Sequence, residues 1–236
     1  MRATFATVLP SALALGAMLL ALAAAWPATA DTLPGAPEDN DLREFRVGMA
    51  LDRLPRTGYV GFACADDPGR RLDGWQGYRE CPAQESGWHA VRFQYDEAAN
   101  PLAKVNGLYE GTKVGGHPVL LTALMGDDGQ LKGLVIETDP AARFYLRKKA
   151  FLFGAQVRTR YGDAGWTCAN QEPAADQEPV GGVFVNERCE KTTADRKLTL
   201  DRVLFRRAGQ ELKDFVSRSR LEILGRGDGA AARISN

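Results

Sequence analysis

Apolar positions change their period several times along this chain, and each change marks an element. Val91, Phe93 and Tyr95 alternate with Arg92 and Gln94, and Leu198 and Leu200 alternate with Thr199 and Asp201. A period of two is what a half-buried strand requires. His117 to Met125 and Leu131 to Thr138 are apolar runs flanking Gly126-Asp127-Asp128-Gly129, and runs joined by such a turn predict a hairpin. After Asp139 the period lengthens. Asp139 can cap a helix, Pro140 suits its first turn, Leu146, Ala150, Phe153 and Val157 recur at helical spacing, and Gly162 can end it. Shorter helices are expected from Met49 to Leu54, stopped by Pro55 and Gly58, and from Gln210 to Ser217, with a last strand at Leu221 to Leu224.

One local pattern occurs twice. Gly61-Phe62-Ala63-Cys64-Ala65 reads like Gly165-Trp166-Thr167-Cys168-Ala169, and a second cysteine follows each, 17 residues on at Cys81 and 21 on at Cys189. The chain is therefore expected to be α+β: two related units, 41–139 and 140–224, each a helix packed on a small antiparallel sheet and each holding a disulfide. Four cysteines allow three connectivities, and spacing alone does not choose. The repeated neighbourhoods favour local pairs, Cys64 with Cys81 and Cys168 with Cys189, each closing a loop worth roughly 3 kcal/mol in the chain-entropy model.

The first thirty residues belong to a different class. Arg2 is the only charge before Asp31, Pro10 to Trp26 is apolar, and Ala28-Thr29-Ala30 has the small-x-small form of a cleavage site. Residues 1–30 thus read as a signal peptide, cleaved after Ala30. No twin arginine precedes the run and no cysteine follows it, so the general secretory route is expected without a lipid anchor. No later segment is long and apolar enough to cross a membrane. Arginine outnumbers lysine, Ala and Gly are abundant, and no Asn-x-Ser/Thr sequon occurs. The periplasm is the expected compartment, with the extracellular medium as the alternative. Residues 31–40 and 225–236 hold little to bury and are expected to be disordered.

Charge is balanced overall, at 30 basic and 30 acidic residues, which argues against a general nucleic-acid binder. It is unevenly placed: residues 31–139 carry 11 basic and 18 acidic side chains, residues 140–236 carry 18 and 12. Opposite halves attract each other within the fold, or one of them meets a charged partner. Nucleophile and metal motifs are missing. His89 and His117 stand outside any His-x-x-x-His pattern, Ser86, Ser217, Ser219 and Ser235 outside any hydrolase motif, and the cysteines outside any Cys-x-x-Cys. No metal and no cofactor are expected. A carboxylate pair has no fixed spacing, so a hydrolase acting on a cell-envelope polymer remains the alternative to a binding protein.

Phe45-Arg46-Val47-Gly48-Met49, leading into a short helix and antiparallel strands, resembles the opening of SmpA/OmlA-type and beta-lactamase-inhibitor-protein-like exported domains. That resemblance implies a helix or helical pair on a small antiparallel sheet, often in tandem, and a role in binding other proteins. Two departures stand beside it: Gly58-Tyr59 replaces the Gly-x-Pro step, and the lipid-bearing cysteine of the outer-membrane members is missing. Two surfaces are candidates for recognition. One is the loop between Cys64 and Cys81, with Arg70, Arg71, Trp75 and Tyr78, residue types enriched at binding hot spots; the competing account packs Trp75 over the sheet. The other is the basic helix with Arg143, Arg147 and Lys148, facing acidic protein, anionic lipid or the acidic half of the chain. The expected function is an exported non-enzymatic binding or accessory protein whose partner is another exported protein, with inhibition of an exported enzyme as one form.

Overall fold

The computed structural model describes residues 40–96, 111–211 and 213–226. The expected signal peptide at 1–30, almost all of 31–40 and most of 225–236, where disorder is expected, lie outside them. Strands β1 (Tyr59–Cys64) and β2 (His89–Tyr95) pair antiparallel, with a register shift between Val60 and Ala63. Gly61 sits in that shift at φ 69°, a conformation that only glycine adopts without strain. β3 (Lys113–Val114) lies against the start of β4 (His117–Met125), and β4 forms the expected hairpin with β5 (Leu131–Thr138). The second half gives β6 (Trp166–Asn170), β7 (Gln177–Glu178), β8 (Val185–Thr192), β9 (Arg196–Arg207) and β10 (Val216–Gly225).

These strands make one sheet in the order β1-β2-β4-β5-β10-β9-β8-β6, with β3 on β4 and β7 on β9. Two separate helix-on-sheet units are therefore not what forms: the fold is mostly antiparallel sheet, and the sheet runs through the expected boundary at 139/140. Its cause is visible at the join. β5 and β10 place Ile136 opposite Leu221 and Leu134 opposite Ile223, so pairing them makes one continuous apolar surface and removes two exposed sheet edges. Phe93, Leu121, Ile136, Leu221, Leu200 and Cys189 then stand in register across six neighbouring strands. All six are at most 1% exposed. Burying each large apolar side chain in that row stabilises the fold by about 1.5–3 kcal/mol.

Helix is scarcer than the periodicity predicts. The stretch 49–54 makes only a 3-10 turn, Leu51–Arg53, before Pro55. The helix expected from 140 breaks into α1 (Phe144–Lys148), a 3-10 turn (Ala150–Leu152) and α2 (Phe153–Tyr161). Asp139 turns its carboxylate to the Ala141 amide at 2.8 Å, so the helix proper starts later, at Phe144. At the break, the Ala150 carbonyl accepts the Ser219 hydroxyl at 2.9 Å, drawing the turn onto β10. No helix forms over 210–217 among the described residues. Phe215 is buried with Val180 and Leu204, and the backbone from Val216 enters the ladder with β9.

The apolar face of the sheet is covered by α2, through Phe153 and Val157, and by the segment carrying Phe45, which packs with Trp75 and Phe93. A polar clamp holds that segment. Asp41 accepts the Val47 amide at 2.6 Å and Arg196 Nε at 2.9 Å, while Arg196 Nη2 donates to the Val47 carbonyl at 3.1 Å. Tyr161 donates its hydroxyl to the Asp41 carbonyl at 2.6 Å.

Candidate functional site

Both disulfides join the cysteines that the repeated neighbourhoods pair, Cys64 with Cys81 and Cys168 with Cys189. The first one settles where the candidate loop goes. It draws the 3-10 turn Trp75–Glu80 onto β1 and β2, leaving Trp75 5% and Tyr78 1% exposed. Trp75 meets Phe45, Phe62 and Phe93 edge to face at 5.6, 4.7 and 5.0 Å, and its Nε1 donates to the Pro55 carbonyl at 2.8 Å. The aromatic pair proposed for recognition is thus core. Arg70 and Arg71 remain exposed. Arg70 Nη1 ties the loop by donating to the Glu80 carbonyl at 2.8 Å, and Arg71 bridges to Ala63 through its backbone.

In the basic helix, Arg143 and Lys148 are exposed and Arg147 is half-buried over the Phe215 ring, 5.6 Å from its centroid. No ion pair joins these three to a carboxylate among the described residues. The acidic and basic halves meet elsewhere, in Asp41–Arg196 and in Glu137–Arg218 at 3.9 Å.

The histidines are built into the fold. His89 is buried, with Nδ1 2.7 Å from the Cys81 carbonyl and Nε2 3.0 Å from Asp127 Oδ1. His117 stacks edge-on to Phe153, and burial, aided by the Lys149 charge, holds its pKa below the ordinary histidine value. Cys168, Glu187 and Cys189 converge as a metal site would require. The sulfurs are spent in the disulfide, however, and cations already serve the cluster: Arg158 Nη2 lies 3.1 and 3.3 Å from them, and Arg202 binds Glu187 at 2.6 Å.

A hydrolase needs two free carboxylates facing one cleft. The groove between α2 and the sheet, about 560 Å³, is lined by Leu42, Val114, Ile136, Phe153, Val157 and Leu221 among others, and by no carboxylate among the described residues. A smaller concavity brings Asp41 and Asp195 together. Both are ion-paired to Arg196.

The surface that sequence reasoning missed is the second face of the sheet. On the row next to the buried one, Glu137, Arg220, Asp201 and Arg188 stand directly opposite one another across β5, β10, β9 and β8. Their signs alternate. Their side chains are 27, 25, 28 and 52% exposed. Arg188 binds Asp201 at 3.0 Å, Arg220 binds Glu222 at 2.8 Å, and Glu190 lies 3.6 Å from Arg188 and 3.3 Å from Lys197. The 3-10 turns Trp75–Glu80 and Ala150–Leu152 and helix α2 pack on the other face. Alternation in Leu198 to Asp201 marks one strand of this surface, but nothing in the sequence says which strands lie side by side.

No family model matches the chain, and neither a curated protein nor a solved structure matches it. No helix among the described residues is long and apolar enough to cross a membrane. Two disulfides and the absence of a free cysteine among those residues fit an oxidising compartment.

Proposed function

We propose that the protein is exported to the periplasm and works there as a non-enzymatic binding or accessory protein, docking another exported protein on the charged face of its sheet. The observation that carries this proposal is the cross-strand row Glu137, Arg220, Asp201, Arg188, with Glu222, Glu190 and Lys197 beside it. A sheet surface of fixed, alternating charge suits a partner of complementary pattern, since such patterns give specificity and fast encounter. It does not suit catalysis, because its carboxylates are each held by a neighbouring cation. Inhibition of an exported enzyme is one form this class takes.

The experiment is capture from a periplasmic extract by the immobilised protein, eluted with rising salt, beside Arg188→Glu. A partner that elutes early with salt and is not retained by Arg188→Glu supports the proposal. Equal retention by the folded variant contradicts it.

A further inference from the structure

Five large apolar side chains are strongly exposed among the described residues: Val60, Phe144, Tyr145, Leu152 and Val183. Three of them fall within nine consecutive residues, on α1 and the 3-10 turn that follows. Phe144 is 48%, Tyr145 62% and Leu152 45% exposed. Basic side chains stand among them. Lys148 lies four residues from Phe144, and Lys149 four from Tyr145, so each shares a helical face with an aromatic ring. Lys149 Nζ donates to the Tyr145 hydroxyl at 2.7 Å and sits 4.2 Å from that ring's centroid. Arg143 is exposed just before the helix.

Residues 140–162 contain six cations and no carboxylate. Four of the six are engaged by the protein itself: Arg147 over Phe215, Lys149 on Tyr145, Arg158 at the second disulfide, and Arg160 on the Asn40 carbonyl at 2.9 Å. Arg143 and Lys148 stand exposed beside the rings, and Lys149, held on Tyr145, is exposed with them.

An aromatic and aliphatic patch set among outward lysines has a specific chemical complement. Protein interfaces are depleted in lysine at their centres. A bilayer surface instead takes apolar side chains at the acyl boundary, while lysine stems lie along it with their ammonium groups at anionic headgroups. We infer that the patch formed by Phe144, Tyr145, Leu152, Arg143, Lys148 and Lys149 docks the protein reversibly on an anionic phospholipid surface. This contact is separate from the charged sheet face and leaves that face free for a protein partner.

Vesicle co-sedimentation tests the inference, using phosphatidylcholine alone and an equal mixture with phosphatidylglycerol, at low and high salt. The protein is expected to sediment with the mixed vesicles at low salt and to be released at high salt. Each basic side chain near such a surface strengthens partitioning about five-fold, so Lys148→Ala with Lys149→Ala should weaken it about 25-fold. Leu152→Ser should weaken it several-fold. Both variants change exposed side chains, and unchanged melting temperatures verify their folds. Arg188→Glu should sediment like the wild type, which separates this test from that of the sheet face.

Failure to sediment with mixed vesicles overturns the inference. So does sedimentation with phosphatidylcholine alone that ignores the lysine variant, since a retained apolar run, Pro10 to Trp26, would then be the contact. Retention of an acidic protein by the patch without vesicle binding, or self-association lost in the lysine variant, overturns it as well.

Discussion

Replacing Trp75 by alanine separates a loop built for recognition from a loop folded into the core. The indole is 5% exposed, meets three aromatic rings edge to face, and has its one donor satisfied by the Pro55 carbonyl. Truncation therefore opens a cavity beneath β1 and β2. Buried Trp or Phe to Ala changes cost about 3–5 kcal/mol, and the lost edge-to-face contacts place this one toward the upper end. In a chain of this size each kcal/mol lowers the melting temperature by about 2–4 °C, so a drop of roughly 8–20 °C is expected. Thermal unfolding followed by near-ultraviolet circular dichroism measures it. Arg70→Ala and Arg71→Ala are the controls, since exposed substitutions of this kind stay within about 0.5 kcal/mol. A Trp75→Ala protein melting with the wild type would refute the placement of this turn in the core.

Removing Arg196 tests the clamp on the N-terminal segment. Its side chain is 12% and that of Asp41 9% exposed, so Arg196→Ala strands a buried carboxylate at a cost of about 3–5 kcal/mol; a loss below about 1 kcal/mol in denaturant titration would show a weak clamp. Alkaline pH should weaken the fold through its buried tyrosines. Burial pushes the pKa values of Tyr95 and Tyr161 up to about 12 from 10.0, so above pH 10 the unfolded chain loses protons that the folded chain keeps. Their contribution is whole below that pH and is lost as pH rises toward 12. Tyr95→Phe should make the fall in melting temperature over this range shallower, and an unchanged slope would count against the assignment. Burial also depresses the His117 pKa, so its contribution is whole above the ordinary histidine value and is lost as pH falls below it. His117→Phe should flatten the acid side of the melting profile.

The parts of this fold that are legible in the chain are those set by neighbours in sequence. The β4–β5 hairpin is written in a four-residue turn between two apolar runs, and the disulfide partners in a repeated five-residue neighbourhood. What joins the halves is not local. Ser219 accepts its place beside Thr138, with its amide 3.0 Å from the Thr138 hydroxyl, because two distant apolar strands share a register. Neither strand alone announces it. Helical spacing from Leu146 to Val157 is real, yet a tertiary hydrogen bond from Ser219 to the Ala150 carbonyl reshapes it. Trp75 and Tyr78 carried the right residue types for a binding loop, but composition does not say which way a ring points. The charged face was hidden for the same reason as the join: Glu137, Arg220, Asp201 and Arg188 become a row only once four strands are aligned.

Exchanging the charges of Arg188 and Asp201 tests the central claim that this row is a docking surface. Arg188→Asp with Asp201→Arg keeps an opposite pair at that register but sets a cation opposite Arg220, so the melting temperature should fall by only a few degrees, cross-strand charge pairs being worth about 0.2–1 kcal/mol. The outward pattern is nevertheless reversed at its most exposed position. Affinity for the captured partner, measured by titration calorimetry on the exchanged protein and the wild type, should fall by roughly thirty-fold, the size of one hot-spot loss. Unchanged affinity in a protein that folds and melts within a few degrees of the wild type would show that the row only holds the sheet together, and would contradict the account.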